Sequence, residues 1–152
     1  NCLKELISVY NKKNSNVIGV MSVDKKEVNK YGIVKGSIAN GRTSKINELV
    51  EKPKIKDAPS RLAVVGRYIL KNNIFKYLRK ISKGAENEIQ LTDAISLSAI
   101  NENVFSYEFS GTRYDCGSKL GFIKAQLACA MLDNSIRKSF KKELEKILRR
   151  NY

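Results

Sequence analysis

In Leu49-Val50-Glu51-Lys52-Pro53-Lys54 an acid and a base stand side by side where a short apolar run meets proline. Neighbours on a pleated strand project to opposite faces, so Glu51 and Lys52 can reach one ligand only where the backbone bends. Pro53, with its fixed φ and missing N–H, is the residue predicted to supply that bend. A carboxylate accepts hydrogens from hydroxyls and an ammonium meets an anion, so a sugar phosphate would satisfy both charges. The same six residues also read as a solvated charged pair after a surface strand. A second candidate is Asp115 in Arg113-Tyr114-Asp115-Cys116-Gly117, between a strand end and a helix. It reads either as a helix cap or as a magnesium ligand, since magnesium takes few protein carboxylates and leaves its other positions to phosphate and water. Only one such aspartate is visible, so a second would come from outside this chain.

The composition narrows the chemistry further. The 152 residues contain no histidine, which excludes Ser-His and Cys-His nucleophile pairs, histidine-ligated zinc and imidazole acid–base catalysis. Cys2, Cys116 and Cys129 are odd in number and widely spaced, so reduced thiols are expected rather than a disulfide framework or zinc knuckle. Carboxylate, lysine, backbone-amide and hard-metal chemistry remain. A net charge of +14 attracts polyphosphate whatever its sequence, yet the lysines are spread along the chain. The one dense patch is 137–150, with seven Lys or Arg against two Glu and with Phe140, Leu144, Ile147 and Leu148 at helical spacing. It reads as a basic amphipathic helix packed on its own domain or on a twin subunit, with nucleic acid or a membrane surface as the alternatives.

The elements that must position these groups follow from periodicity. Leu3, Leu6, Ile7 and Tyr10 predict an amphipathic helix closed by Asn14-Ser15-Asn16. Residues 17–21 form a continuous apolar run, the pattern of a strand covered on both faces in a mostly parallel sheet. Helix followed by buried strand is half of a β-α-β unit, so the sequence reads as entering an α/β fold midway. Strands are expected at 30–34 and 46–51 with a polar excursion over 35–45, then a strand over 62–70 interrupted by Gly66. A helix over 74–81, a break at Gly84 and a helix from Leu91 with Thr92 and Asp93 in its first turn come next. Alternation of Phe105, Tyr107 and Phe109 predicts a half-buried strand over 104–109. A helix over 119–132 is expected to bury Leu120, Ile123, Leu127 and Met131. The length suits one domain with a real core, divided here into 1–132 and a basic helix over 133–152. No apolar run approaches a membrane span, and a soluble cytoplasmic protein is expected.

Tyr31-Gly32, Val50-Glu51-Lys52-Pro53-Lys54, Ala58-Pro59-Ser60, Val65-Gly66-Arg67-Tyr68, Glu88-Ile89-Gln90-Leu91-Thr92-Asp93-Ala94 and Tyr114-Asp115-Cys116-Gly117-Ser118-Lys119-Leu120-Gly121 occur in this order. Their order and spacing resemble the C-terminal half of the bacterial UTP–glucose-1-phosphate uridylyltransferases, the UDP-glucose pyrophosphorylases. The likeness runs over about residues 1–125 and is looser in the last helices. The Asp-Cys-Gly and Glu-Ile-Gln-Leu-Thr-Asp-Ala strings favour this family over its thymidylyl- and adenylyl-transferring relatives. The resemblance implies an α/β, Rossmann-like nucleotidyltransferase fold with a mixed, mostly parallel sheet, incomplete at its N-terminal side and followed by C-terminal helices. It implies magnesium-assisted joining of UTP and glucose 1-phosphate into UDP-glucose and pyrophosphate. Glu51 would then accept hydrogen bonds from glucose hydroxyls, Lys52 would meet the sugar phosphate and serve as the catalytic cation, Gly32 and Val65-Gly66 would line the sugar, and Asp115 would be one of two magnesium ligands.

The attacking phosphate oxygen is already ionised near neutral pH, so positioning and charge neutralisation can carry in-line transfer without histidine. The family's Gly-rich, nucleotide-cradling loop has no counterpart here, because no Gly-x-Gly-Thr-Arg string exists in the chain. The expectation is therefore a sugar-side part that is inactive alone and pairs with a twin through its C-terminal helices, without a specific nucleic-acid or membrane partner. The alternatives are a non-catalytic sugar-phosphate or partner-binding remnant and a basic nucleic-acid-binding module.

Overall fold

The computed structural model describes residues 2–83 and 87–150, with the main chain alone at 38–40. It divides into two compact units, 1–111 and 112–152, each described by itself.

The first unit opens with helix α1, Cys2–Lys13, whose apolar stripe buries Leu6 completely. Asn14 takes the left-handed conformation at φ +46° and donates its N–H to the Tyr10 carbonyl at 2.7 Å, which ends the helix as the Asn-rich sequence predicts. Strand β1, Asn16–Ser22, is buried from Asn16 to Val20. A short 3-10 helix over Lys25–Lys30, capped by the Asp24 carboxylate on the Lys26 N–H at 3.1 Å, leads into β2, Gly32–Asn40. The chain then continues through β3, Thr43–Glu51, and β4, Leu62–Ile69. Helices α2, Ile74–Leu78, and α3, Leu91–Asn101, precede β5, Val104–Glu108.

The strands pair in the order β1-β4-β2-β3-β5 and close on themselves as β5 returns to β1. Only β1 and β5 run parallel; β1–β4, β2–β3, β2–β4 and β3–β5 are antiparallel. The expected mostly parallel sheet is thus corrected to a mainly antiparallel closed arrangement. Apolar runs do report burial on both faces, but α1 lying on β1 and β4 and α3 lying on β3 provide that cover without parallel neighbours. Ile18, Val20, Val34, Ile46, Leu49 and Val104 meet Ile74 and Tyr77 of α2 and Ala94 and Ile95 of α3 in one core. Each fully buried aliphatic side chain there contributes roughly 1.5–3 kcal/mol by leaving water.

Residues 35–45 are not a polar excursion. They complete a hairpin whose two-residue connection, Gly41-Arg42, joins the Asn40–Thr43 pair, with Gly41 at φ +54°. Glycine at the first of two turn positions gives the twist that matches paired strands, and the polar side chains of this stretch are compatible with a hairpin whose outer face meets water. Helix α2 is shorter than the expected 74–81, and the break at Gly84 lies outside the described residues. Strand β5 buries Val104, Phe105 and Ser106 in succession rather than alternately, because β1 and β3 flank it on both edges. Glu102, at the end of α3, fastens α2: it accepts from the Tyr77 hydroxyl at 2.7 Å and the Asn73 amide at 2.6 Å, and Lys76 Nζ lies at 3.3 Å.

In the second unit, Ser118 caps α4, Lys119–Leu132, by accepting the Gly121 N–H at 3.1 Å. Arg137 then donates to the carbonyls of Met131 at 2.6 Å and Leu132 at 3.2 Å, joining the end of α4 to α5, Arg137–Arg149. The expected burial of the α4 stripe is corrected: Leu120 and Ile123 are 63% and 53% exposed, and no residue of either helix is fully buried. Within the unit α4 has only α5 to pack on, across an open apolar groove of about 330 Å³ lined by Ile123, Leu127, Ala130, Ile136 and Phe140. Among the described residues no helix is long and apolar enough to cross a membrane.

Candidate functional site

Three adjacent strands of the first unit bring the singled-out residues to one edge. Gly32 opens β2 and pairs with Glu51, the last residue of β3, while the register Ile33–Ala63 on the other side sets the next residues of β4 beside Gly32. Because Gly32 has no side chain, the Glu51 carboxylate folds over it. A Cβ at residue 32 would lie 2.9 Å from Glu51 Oε2, 3.1 Å from Thr92 Cγ2 and 3.7 Å from Val64 Cγ2. Helix α3, packed on β3, delivers Thr92 to the same point.

The bend after Glu51 occurs one residue earlier than proline alone would give. Lys52 itself occupies the left-handed region at φ +43° and donates its N–H to the Tyr31 carbonyl at 3.1 Å, while Pro53 is buried behind it. A non-glycine residue in this region, before a proline that disfavours helical backbone, is held there by its surroundings. The extended alternation that would separate Glu51 from Lys52 ends at Lys52.

On β4, Val65, Gly66 and Arg67 bulge out opposite Gly19, where the β1–β4 register shifts. A side chain at residue 19 would press on the Arg67 carbonyl at 3.2 Å, so Gly19 admits the bulge. Gly66 sits at φ +70° with nothing within 4 Å of where its Cβ would be, which leaves open space above the main chain of Val65-Gly66. Tyr68 follows, and burial, together with the nearby Glu51 carboxylate, raises its hydroxyl above the ordinary tyrosine range. Thr92 is 7% exposed, and its Oγ1 is buried without a hydrogen-bond partner. Sequence reasoning noticed Thr92 only as a first-turn helix residue; the signal that identifies it is spatial, a hydroxyl left unpaired beside a carboxylate and a glycine.

Asp115 belongs to the second unit. Its Oδ1 accepts the Gly117 N–H at 3.1 Å, and its carbonyl accepts the Ser118 hydroxyl at 3.2 Å. The helix cap is therefore Ser118, not Asp115, and the Asp115 carbonyl lies so close to Gly121 that a side chain there would collide with it. An exposed aspartate supplies one hard oxygen donor of the kind magnesium takes. Among the described residues no group of three or more His, Cys, Asp or Glu is arranged to hold a metal ion, so Asp115 fits such an ion as a single ligand. The three cysteines are free thiols.

A second polar cluster lies at the opposite end of the β2–β3 hairpin. Glu5 accepts from Tyr107 at 3.2 Å and from the Ser110 N–H at 3.3 Å, with Arg42 at 3.7 Å. The Ser110 N–H is the main cause holding the Glu5 carboxyl below its usual range. These groups satisfy one another and pin α1 to the strand ends.

A glycine-floored strand edge with a carboxylate folded over it, in this order of motifs, places the chain in a family: residues 2–131 match the nucleotidyl transferase family, and the chain belongs to it. The uridylyltransferase 2 of Staphylococcus saprophyticus, named as acting on UTP and glucose 1-phosphate, is 46% identical over 134 residues, covering 88% of this chain and 46% of that protein. Among solved structures, a UDP-glucose pyrophosphorylase complexed with UDP-glucose superposes with a TM-score of 0.80 at 42% identity, covering 84% of this chain and 48% of the other. A UTP-bound enzyme of the same name from Acinetobacter baumannii gives 0.82 at 36% identity over 99% and 51% of the two chains. The chain spans about half the length of the curated relatives it matches.

Proposed function

We infer that this chain provides the sugar-phosphate side of a UTP–glucose-1-phosphate uridylyltransferase, within residues 1–132. The observation that carries this reading is the Glu51 carboxylate held over the bare Cα of Gly32, one residue before the left-handed Lys52. In this reading the Glu51 oxygens accept hydrogen bonds from glucose hydroxyls, while the main chain of Gly32 and Val65-Gly66 lines the ring. Lys52 meets the sugar phosphate and stabilises charge as the phosphate oxygen attacks the nucleotide in line. Asp115 contributes one ligand to magnesium, which when bound offsets phosphate charge. The nucleotide-cradling side of the site comes from sequence outside these residues, so the chain alone is expected to make no UDP-glucose.

Two measurements test this. Glucose 1-phosphate titrated into the 15N-labelled chain should shift the amides of Gly32, Lys52 and Gly66, and Glu51→Gln should abolish most of that response. Mixing with a separately expressed N-terminal half of a family enzyme should restore UDP-glucose synthesis, and Lys52→Ala should then lower turnover about a hundredfold or more. A folded chain whose spectrum is indifferent to glucose 1-phosphate would overturn the assignment. A Lys52→Ala loss of less than threefold would remove the catalytic role of that residue.

A further inference from the structure

We propose that Thr92 is a substrate-contacting residue whose hydroxyl hydrogen-bonds a hydroxyl of the bound hexose phosphate, and that it helps select which hexose the site accepts. The inference rests on the sugar-phosphate reading above and extends it to a residue on a different element.

Thr92 Oγ1 is fully buried and unpaired. A hydroxyl withdrawn from water without a partner is costly, and buried polar side chains overwhelmingly find one. The side chain is also directed at the site: its Cγ2 lies 3.1 Å from the point over Gly32 that Glu51 Oε2 approaches to 2.9 Å. The hydroxyl branches from the same carbon as that methyl. Neither strand pairing nor helix capping uses it, since α3 has no side-chain cap. A carboxylate can only accept hydrogen bonds, whereas a threonine hydroxyl both donates and accepts. A sugar hydroxyl set between them could give its hydrogen to Glu51 and receive one from Thr92. That arrangement discriminates strongly, because an analogue lacking the hydroxyl leaves both protein groups unpaired.

The test uses the whole chain, with glucose 1-phosphate as probe and calorimetry as readout. Thr92→Val keeps the shape and removes the hydroxyl, so it should weaken binding about tenfold while leaving Tm unchanged or higher. Thr92→Ser, which keeps the hydroxyl, should bind within about threefold of the parent. Across the 2-, 3-, 4- and 6-deoxy analogues, one should lose about as much affinity on the parent as Thr92→Val loses on the natural ligand, and Thr92→Val should not distinguish that analogue from glucose 1-phosphate. Equal affinity of parent and Thr92→Val, or a Ser variant as weak as the Val variant, overturns the role of Thr92 while leaving the sugar-phosphate site intact. If Thr92→Val does not fold, Thr92→Ala carries the same comparison. If the folded parent binds no glucose 1-phosphate at all, the site reading falls, and this inference with it.

Discussion

Gly32 is where a single methyl group should matter most. Its φ is ordinary, so alanine brings no backbone strain, but the new carbon would stand 2.9 Å from the Glu51 carboxylate and 3.1 Å from the Thr92 methyl. Glu51 is the more flexible of the two and is expected to swing away. Gly32→Ala should therefore weaken glucose 1-phosphate binding about tenfold or more, with little change in Tm. A variant that binds like the parent would show that the carboxylate is not held where the ligand needs it. At this scale the sequence was informative about residue types and silent about directions. The Glu51-Lys52 pair and Gly32 were legible because acid, base and glycine at strand ends are unusual for packing alone. That the bend falls on Lys52 rather than Pro53, and that Thr92 turns its side chain to the same spot, depends on which elements become neighbours, and residue spacing along one segment carries no such information.

Among the elements, the β4 bulge and the α2–α3 fastening make separate claims. Gly66→Ala places a side chain at φ +70° in otherwise open space, so the expected cost is about 1 kcal/mol of conformational strain, without a clash. A drop in Tm of several degrees would agree with that, and an unchanged Tm would show that the bulge relaxes. Glu102 is held below the ordinary carboxylate range chiefly by the Tyr77 hydrogen bond, with Asn73 and Lys76 adding to it. A lowered folded-state value means the stabilisation is complete above the unfolded value of about 4.3 and is lost as pH falls through the lower folded value. The Tm gap between the parent and Glu102→Gln should therefore be largest near neutrality and shrink below about pH 4. A gap that stays constant with pH would assign the cluster to shape rather than charge. Helices α1 and α3 and strands β1 and β4 were legible from periodicity and apolar runs. The hairpin was missed because Gly41 was read as loop punctuation, although two strand-length stretches separated by a Gly-containing pair are its usual signature.

For the whole molecule, pairing order was the least legible property. Runs of buried strand residues are compatible with parallel or antiparallel neighbours, and only the three-dimensional cover by α1 and α3 distinguishes them. The second unit carries its own expectation, because Leu120, Ile123, Leu132, Ile147 and Leu148 are all exposed beside a strongly basic face. Light scattering should detect self-association that Ile123→Lys together with Leu148→Lys reduces. A strictly monomeric parent at about 100 μM would end the twin-subunit expectation.

The parallel contact between β1 and β5 has a consequence for how the chain is made. The first strand of the unit finds its parallel partner only in the last, and that last strand also zips along β3. During synthesis the growing chain must therefore keep β1 waiting until nearly the whole unit has left the ribosome. A nascent chain arrested before residue 104 should stay protease-sensitive and chaperone-bound, and one arrested well past residue 111 should become resistant.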